Sequence, residues 1–197
     1  MTSADRALIL YSAPFQRHLS FFDRDNDGFI HFGESLRGNL AIGLDFPVAV
    51  GMAVGYHVAY GNTRPFFFGP FNPIEISKVK IKRNMLEQVR PDQVPARGMN
   101  RNTLVAAARP IGAVDIMHVN GLWAFAASRD GIISPNDIEL YQKGIMLYKL
   151  AERRRDSRDH VLPLYRGGPI SVAGHSWFVD RLFGVKVYQQ PETAKDR

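Results

Sequence analysis

The sequence predicts a mainly α-helical protein built on two related helix–loop–helix units with only short strands, and three observations predict it. Residues 14–22 read PFQRHLSFF, which sets Phe15, His18, Leu19 and Phe22 at i, i+3, i+4 and i+7 on one helix face. A twelve-residue stretch, DRDNDGFIHFGE at residues 23–34, follows and opens into SLRGNLAIGL, an exiting helix loosened by Gly38 and Gly43. A second stretch, SRDGIISPNDIE at residues 128–139, repeats the Asp-Gly and the isoleucine two positions on, and leads into another helix.

The spacing of the first stretch is that of an EF-hand loop. A calcium ion takes six to eight hard oxygen ligands, and twelve residues wrap it when oxygens come from positions 1, 3, 5, 7, 9 and 12. Here those positions hold Asp23, Asp25, Asp27, the Phe29 carbonyl, His31 and Glu34. Gly28 at position 6 permits the sharp turn, and Glu34 supplies two carboxylate oxygens. His31 is the unusual member, standing where the ligand often acts through water.

Aligned on Gly131, the second stretch has Ala126 at position 1 and Asp137 at position 12, so its oxygen set is incomplete and the loop is degenerate. Ser134 as N-cap with Asp137 three residues on makes a good start for the helix IELYQKGIMLYKLAERRRDSRD, whose charged tail reads as a solvated face. EF-hand loops pair through their position-8 residues, so Ile30 is expected to meet Ile133. The chain is therefore expected to be a single domain over residues 1–197: an intact EF-hand at 14–44, an insertion at 45–115, the degenerate EF-hand at 116–150 and a C-terminal segment at 151–197.

Within the expected insertion, the stretch LAIGLDFPVAVGMAVGYHVAYG at 40–61 is the most apolar part of the chain. Asp45, Pro47, His57 and its glycines break it, whereas a membrane span needs about 20 mostly apolar residues. A buried core and a surface lining a substrate or an interface are the readings left. The cluster RPFFFGPFNP at 64–73 reads as a rigid aromatic turn. IEISKVKIK at 74–82 reads as a half-buried strand with a bulge near Ser77, and 83–102 as a long exposed connection. RGGPISVAGHSWFVDRLFGVKVYQQ at 166–190 reads as glycine turns and strand-like pieces, with fraying expected beyond Pro191.

Composition narrows the function. The 197 residues carry a net charge of +6, which favours anionic lipid headgroups or acidic ligands, and no nucleic-acid module surrounds the basic clusters. The absence of cysteine removes disulfides, thiolate catalysis and cysteine-ligated metals. The N-terminus lacks the basic start and apolar run of a secretory signal, so an intracellular protein is expected, soluble or peripheral to lipid droplets or membranes.

Together, HLSFFDRDNDGFI with its closing glutamate, the exit helix into an apolar stretch, the phenylalanine-rich proline cluster and SRDGIISPNDIE resemble the caleosins, the plant and fungal peroxygenases, over roughly residues 12–145. The resemblance implies a calcium protein of lipid droplets or membranes in which histidine-held haem uses fatty hydroperoxides as oxygen donors. His18 matches the family's first haem histidine. The second has no counterpart, since the matching region reads EISKVKIKRN. The candidate catalytic residues are His18 and His118, with His57 as a further candidate, and the substrate is a hydrophobic small molecule. The alternatives to a haem peroxygenase are a haem-free isomerase or cyclase of secondary metabolism, using His18 or His118 with Asp45 and Asp115, and a non-enzymatic lipid-surface protein.

Overall fold

The computed structural model describes residues 2–61, 71–79, 89, 91–109 and 112–189. The described chain is mainly helical with one two-stranded antiparallel sheet, as the sequence predicts. Helix α1 spans Ser3–Leu10 and α2 spans Pro14–Ser20, where Pro14 starts the helix and His18 and Leu19 are buried. The loop leads through β1, Phe29–Ile30, into α3, Phe32–Ala41, and then α4, Phe46–Tyr60. Asp45 caps α4 by accepting from the Phe46 N–H, which satisfies one of the donors left over at a helix start.

Strand β2, Ile74–Glu75, is the partner of β1, with Ile30 opposite Ile74 and Phe29 opposite Glu75. The expected meeting of Ile30 with Ile133 does not occur. Ile133 instead bridges Met99, with both N–H to O bonds formed at 2.9 and 2.8 Å. Each loop thus pairs with a nearer stretch of chain, which costs less closure entropy than reaching across the hundred-odd residues between the loops. Ile30, Ile74 and Ile76 then share one apolar cluster with Leu19 and Phe22. Ile133 and Met99 share another with Val89, Leu104, Val119, Leu122 and Ile138.

The second unit runs from α5, Arg101–Ala108, through α6, Ala113–Ala126, to α7, Pro135–Gln142. Asn100 and Ser134 cap α5 and α7. The stretch from 91 to 100, expected as an exposed connection, has Met99 buried in that core, because the second loop needs a pairing partner. The long helix expected after Ser134 is divided: α7 ends near Gln142 and α8 spans Met146–Asp156. Gly144 sits between them at φ +80°, a backbone conformation that costs an L side chain about 1–2 kcal/mol.

Two further expectations are corrected. After Glu75 the chain enters a single 3-10 turn at Ile76–Lys78 in place of a bulged strand, and residues 80–82 lie outside the described residues, as do 62–70 of the proline cluster and 191–197. The C-terminal segment forms α9, Val172–Phe183, where strand-like pieces were expected. His175 and Val179, one turn apart, are its buried face. Val179, Val185, Val187 and Tyr188 close a third cluster against Leu36, Leu40, Ile42 and Leu44 of α3 and the turn that follows it.

Candidate metal centre and the histidines around it

The loop of residues 23–34 gathers the carboxylates of Asp23, Asp25 and Asp27, with one oxygen of each within 4.8 Å of the others. Backbone geometry dictates this. Asn26 at φ 63° and Gly28 at φ +87° bend the chain back on itself, and the loop N–H groups fix the carboxylates. Gly28 N–H donates to Asp23 Oδ2 at 3.1 Å, Asp27 N–H to Asp25 Oδ1 at 3.2 Å and Phe29 N–H to Asp27 Oδ1 at 2.7 Å. Burial raises the Asp23 carboxyl above its usual range, and Glu34 and Asp27 add to the shift. Three hard oxygen donors crowded in this way suit calcium, which neutralises their mutual repulsion.

Glu34 and His31 are not part of this group of three. Glu34 is buried, and its two oxygens accept from Arg24 N–H and His31 N–H, each at 2.9 Å. This ties the first residues of the loop to the first turn of α3. Phe29 lies in β1 opposite Glu75. His31 precedes α3 with a mostly exposed ring, and its Nε2 is 3.8 Å from Asp27 Oδ2.

The candidate catalytic histidines take different partners. His18 is buried, its Nε2 donates to the Tyr141 carbonyl at 2.9 Å, and its ring lies 4.5 Å from that of Tyr141. Burial pushes its pKa down to about 4, so it is a neutral ring whose single N–H is already committed. The donated N–H leaves Nδ1 as the nitrogen that could face iron, but the ring is 6% exposed and lies against Tyr141 as a strut between α2 and α7, so haem would have to displace this packing.

His118 is exposed on α6, with Nε2 3.3 Å from the Tyr60 hydroxyl at the end of α4. The Tyr60 ring in turn is 5.9 Å from Phe15 on α2. Burial raises the Tyr60 pKa, so the phenol stays protonated at neutral pH. Asp115 is three residues before His118, on the same side of α6.

His57, set in the apolar stretch, is almost fully buried. Its Nδ1 donates to the Asn72 carbonyl at 2.6 Å, which leaves Nε2 to accept from the Ser35 hydroxyl at 2.9 Å. One ring thus joins the residue after Glu34 to the segment leading into β2. Burial lowers its pKa, and the bond to Asn72 offsets part of that. Sequence reasoning missed Ser35, Asn72 and Tyr141, whose contacts are long-range in the chain. It also missed His175, whose Nδ1 lies 3.3 Å from Asp45 Oδ1.

The helix–loop–helix at residues 14–41 and its clustered carboxylates define the class: a mainly helical protein whose first loop has the residue spacing of an EF-hand. Residues 11–86 match the model of the caleosin related protein family, so that stretch is similar to the caleosins, a likeness in keeping with calcium binding at the loop. The matched stretch takes in both partners of the first pair, β1 and β2. Neither the curated proteins nor the solved structures contain a significant match. Among the described residues, no helix is long and apolar enough to cross a membrane.

Proposed function

We propose that this caleosin-like calcium protein is an enzyme of hydrophobic, lipid-like small molecules that does not ligate haem through His18 and moves a proton at the Tyr60–His118 pair. The observation supporting this reading is that pair itself. It joins a hydrogen-bonding phenol to an exposed imidazole beside the Phe15 ring. An apolar wall with a few placed polar groups is what a small-molecule site needs. His118 accepts a proton from an activated C–H of the substrate and returns it at another carbon, while Tyr60 donates a hydrogen bond to the developing anion. Such an isomerisation conserves atoms and needs no oxidant. Calcium holds the loop and, through Ser35 and His57, the segment that leads from α4 to β2.

Linoleic acid and its hydroperoxide are suitable probes for the calcium-loaded full chain, with and without added hemin, with products read by mass spectrometry. The expected result is a product of unchanged mass, independent of hemin, lost in His118→Gln and kept in His18→Gln. A Soret band and hemin-dependent oxygen transfer, both lost in His18→Ala, would overturn the reading in favour of a haem peroxygenase.

One observation favours a second reading, the non-enzymatic lipid-surface protein. The outward face of α4 exposes Pro47, Val48, Gly51, Gly55, Val58 and Ala59 without a charge. Flotation with anionic vesicles, with and without calcium, tests it. Binding lost in Val58→Asp, with no turnover of either probe, supports the second reading over the first.

A further inference from the structure

The second loop has lost the acidic residues of positions 1 and 3, yet it is not loose. Four carbonyls in and beside it and the Asp137 carboxylate are held by cationic or polar side chains. Arg166 donates from Nη1 to the Ala127 carbonyl at 2.9 Å and from Nη2 to the Ser128 carbonyl at 3.0 Å. Arg154 donates from Nη2 to the Phe125 carbonyl. At the far end, Arg153 Nη1 meets Asp137 Oδ1 at 2.6 Å, and the Ser134 hydroxyl occupies Oδ2 at 2.7 Å. Between these ends, Trp123 Nε1 donates to the Gly131 carbonyl at 2.8 Å, and the Arg166 guanidinium lies over the Trp123 ring.

We infer that guanidinium groups of the chain have taken the place of an ion in the second loop, so that the protein binds one calcium ion and the second loop does not respond to it. The registry supports this. Phe125, Ala127 and Ser128 flank position 1 of the loop, Ala126, and Asp137 is position 12, so the arginines grip the loop at the two ends where a calcium loop is closed. Arg154 and Arg166 are 3% and 6% exposed, so their grip on the carbonyls is buried, while Asp137, 6% exposed, is reached by a partly exposed Arg153.

Electrostatics point the same way. The carbonyls at the end of α6 carry the partial negative charge of a helix C-terminus, where arginine is favoured and the last carbonyls lack helical partners. A planar guanidinium forks across two adjacent carbonyls, as Arg166 does, which a lysine ammonium cannot copy. With Arg153 on Asp137 and two further cations at the loop entrance, a divalent ion would meet like charge and find its position-12 carboxylate occupied. The arginines come from α8 and from the turn at Leu164–Arg166, so the C-terminal segment is a permanent occupant of the second loop.

The test combines calcium counting by equilibrium dialysis with amide hydrogen exchange on the full chain. One calcium per chain is expected. Chelation with EGTA should raise exchange in peptides from 23–34 and leave those from 126–137 unchanged. Arg166→Met should raise exchange in 126–137 about tenfold or more, the scale of losing charge-assisted bonds to buried carbonyls, with calcium stoichiometry still one. Arg166→Lys should rescue it only in small part. A second bound calcium that protects 126–137, EGTA deprotecting both loops alike, or Arg166→Met leaving 126–137 untouched would each overturn the inference. If Arg166→Met does not yield folded protein, the half-buried Arg153→Met is read by the same criteria.

Discussion

The two loops share a design and differ in what holds them. Both place a positive-φ glycine, Gly28 or Gly131, two residues before an isoleucine that pairs with a residue distant in the chain. The first keeps three aspartates within 4.8 Å, a cluster that suits an ion from solution. The second has Ala126, Ser128 and Asp130 where the first has Asp23, Asp25 and Asp27, and its oxygens are engaged by arginines and Trp123. The inferred calcium dependence therefore lies at the first loop, while the second carries its cations in the chain's own sequence.

The largest effect expected from this difference is on calcium itself. Glu34→Gln removes the closing carboxylate, and affinity should fall by more than the roughly 10–100-fold that even supporting groups around a metal contribute. At a thousandfold excess of calcium over its dissociation constant, the wild-type chain gains about 4 kcal/mol that the variant lacks. Isothermal titration and thermal melts with and without EGTA check both. Asp137→Asn should leave calcium affinity unchanged, and a calcium-affinity loss there would erase the distinction between the loops.

The next effect lies where the halves meet. The α7–α8 turn packs against α2 at Gly144. A Cβ there would come within 2.7 Å of the Arg17 Cβ and closer still to the Pro14 carbonyl. Gly144→Ala should cost about 3 kcal/mol, the sum of a left-handed alanine and an overpacked contact. Urea unfolding measures it. Because the contact joins the entering helix of the first loop to the second unit, calcium affinity should drop as well. An unchanged affinity would show the halves to be energetically separate.

The first loop was legible because its signal is local: twelve consecutive residues fix the ligand spacing and the turn. The same holds for Ser134 as a cap and for the face of α2. The choice of partner for Ile30 was not, since Ile74 and Ile133 are equally apolar and only the packing of α3 on α4 brings Ile74 alongside. The run Arg153, Arg154, Arg155 read as a solvated face because charge runs usually are. Arg154 is buried, and its carbonyl partner is 29 residues away. Helix α9 carried a readable signal in His175 and Val179, masked by Gly174 and by valines that favour strands.

His18 sharpens the comparison through pH. Its folded pKa of about 4 lies below the ordinary 6.5, so the unfolded chain binds the proton first as pH falls. Stability is fully present above pH 6.5 and is lost down to about pH 4, with roughly 2 kcal/mol gone between pH 7 and pH 5 from this residue alone. His57 and His175, also lowered, act in the same direction. The comparison is therefore between wild type and His18→Gln, which does not titrate and whose amide is a candidate donor to the Tyr141 carbonyl. Urea midpoints at the two pH values should show the variant losing less than the wild type. Equal losses would remove His18 from the junction.

The smallest effect is expected inside the second loop. Trp123→Phe keeps an aromatic ring under Arg166 but leaves the Gly131 carbonyl without the indole donor, at a cost of about 1 kcal/mol. Trp123 stands three residues before position 1, so the indole reaches into the loop from the incoming helix and takes one of the oxygens that a metal-bearing loop leaves to its own backbone and ion. The loss should appear in urea unfolding and in faster exchange at 126–137, with calcium affinity at the first loop unaltered. If calcium affinity instead follows this indole, the second loop is transmitting to the first. The route would be α7, where Tyr141 accepts from His18 at the head of the calcium loop.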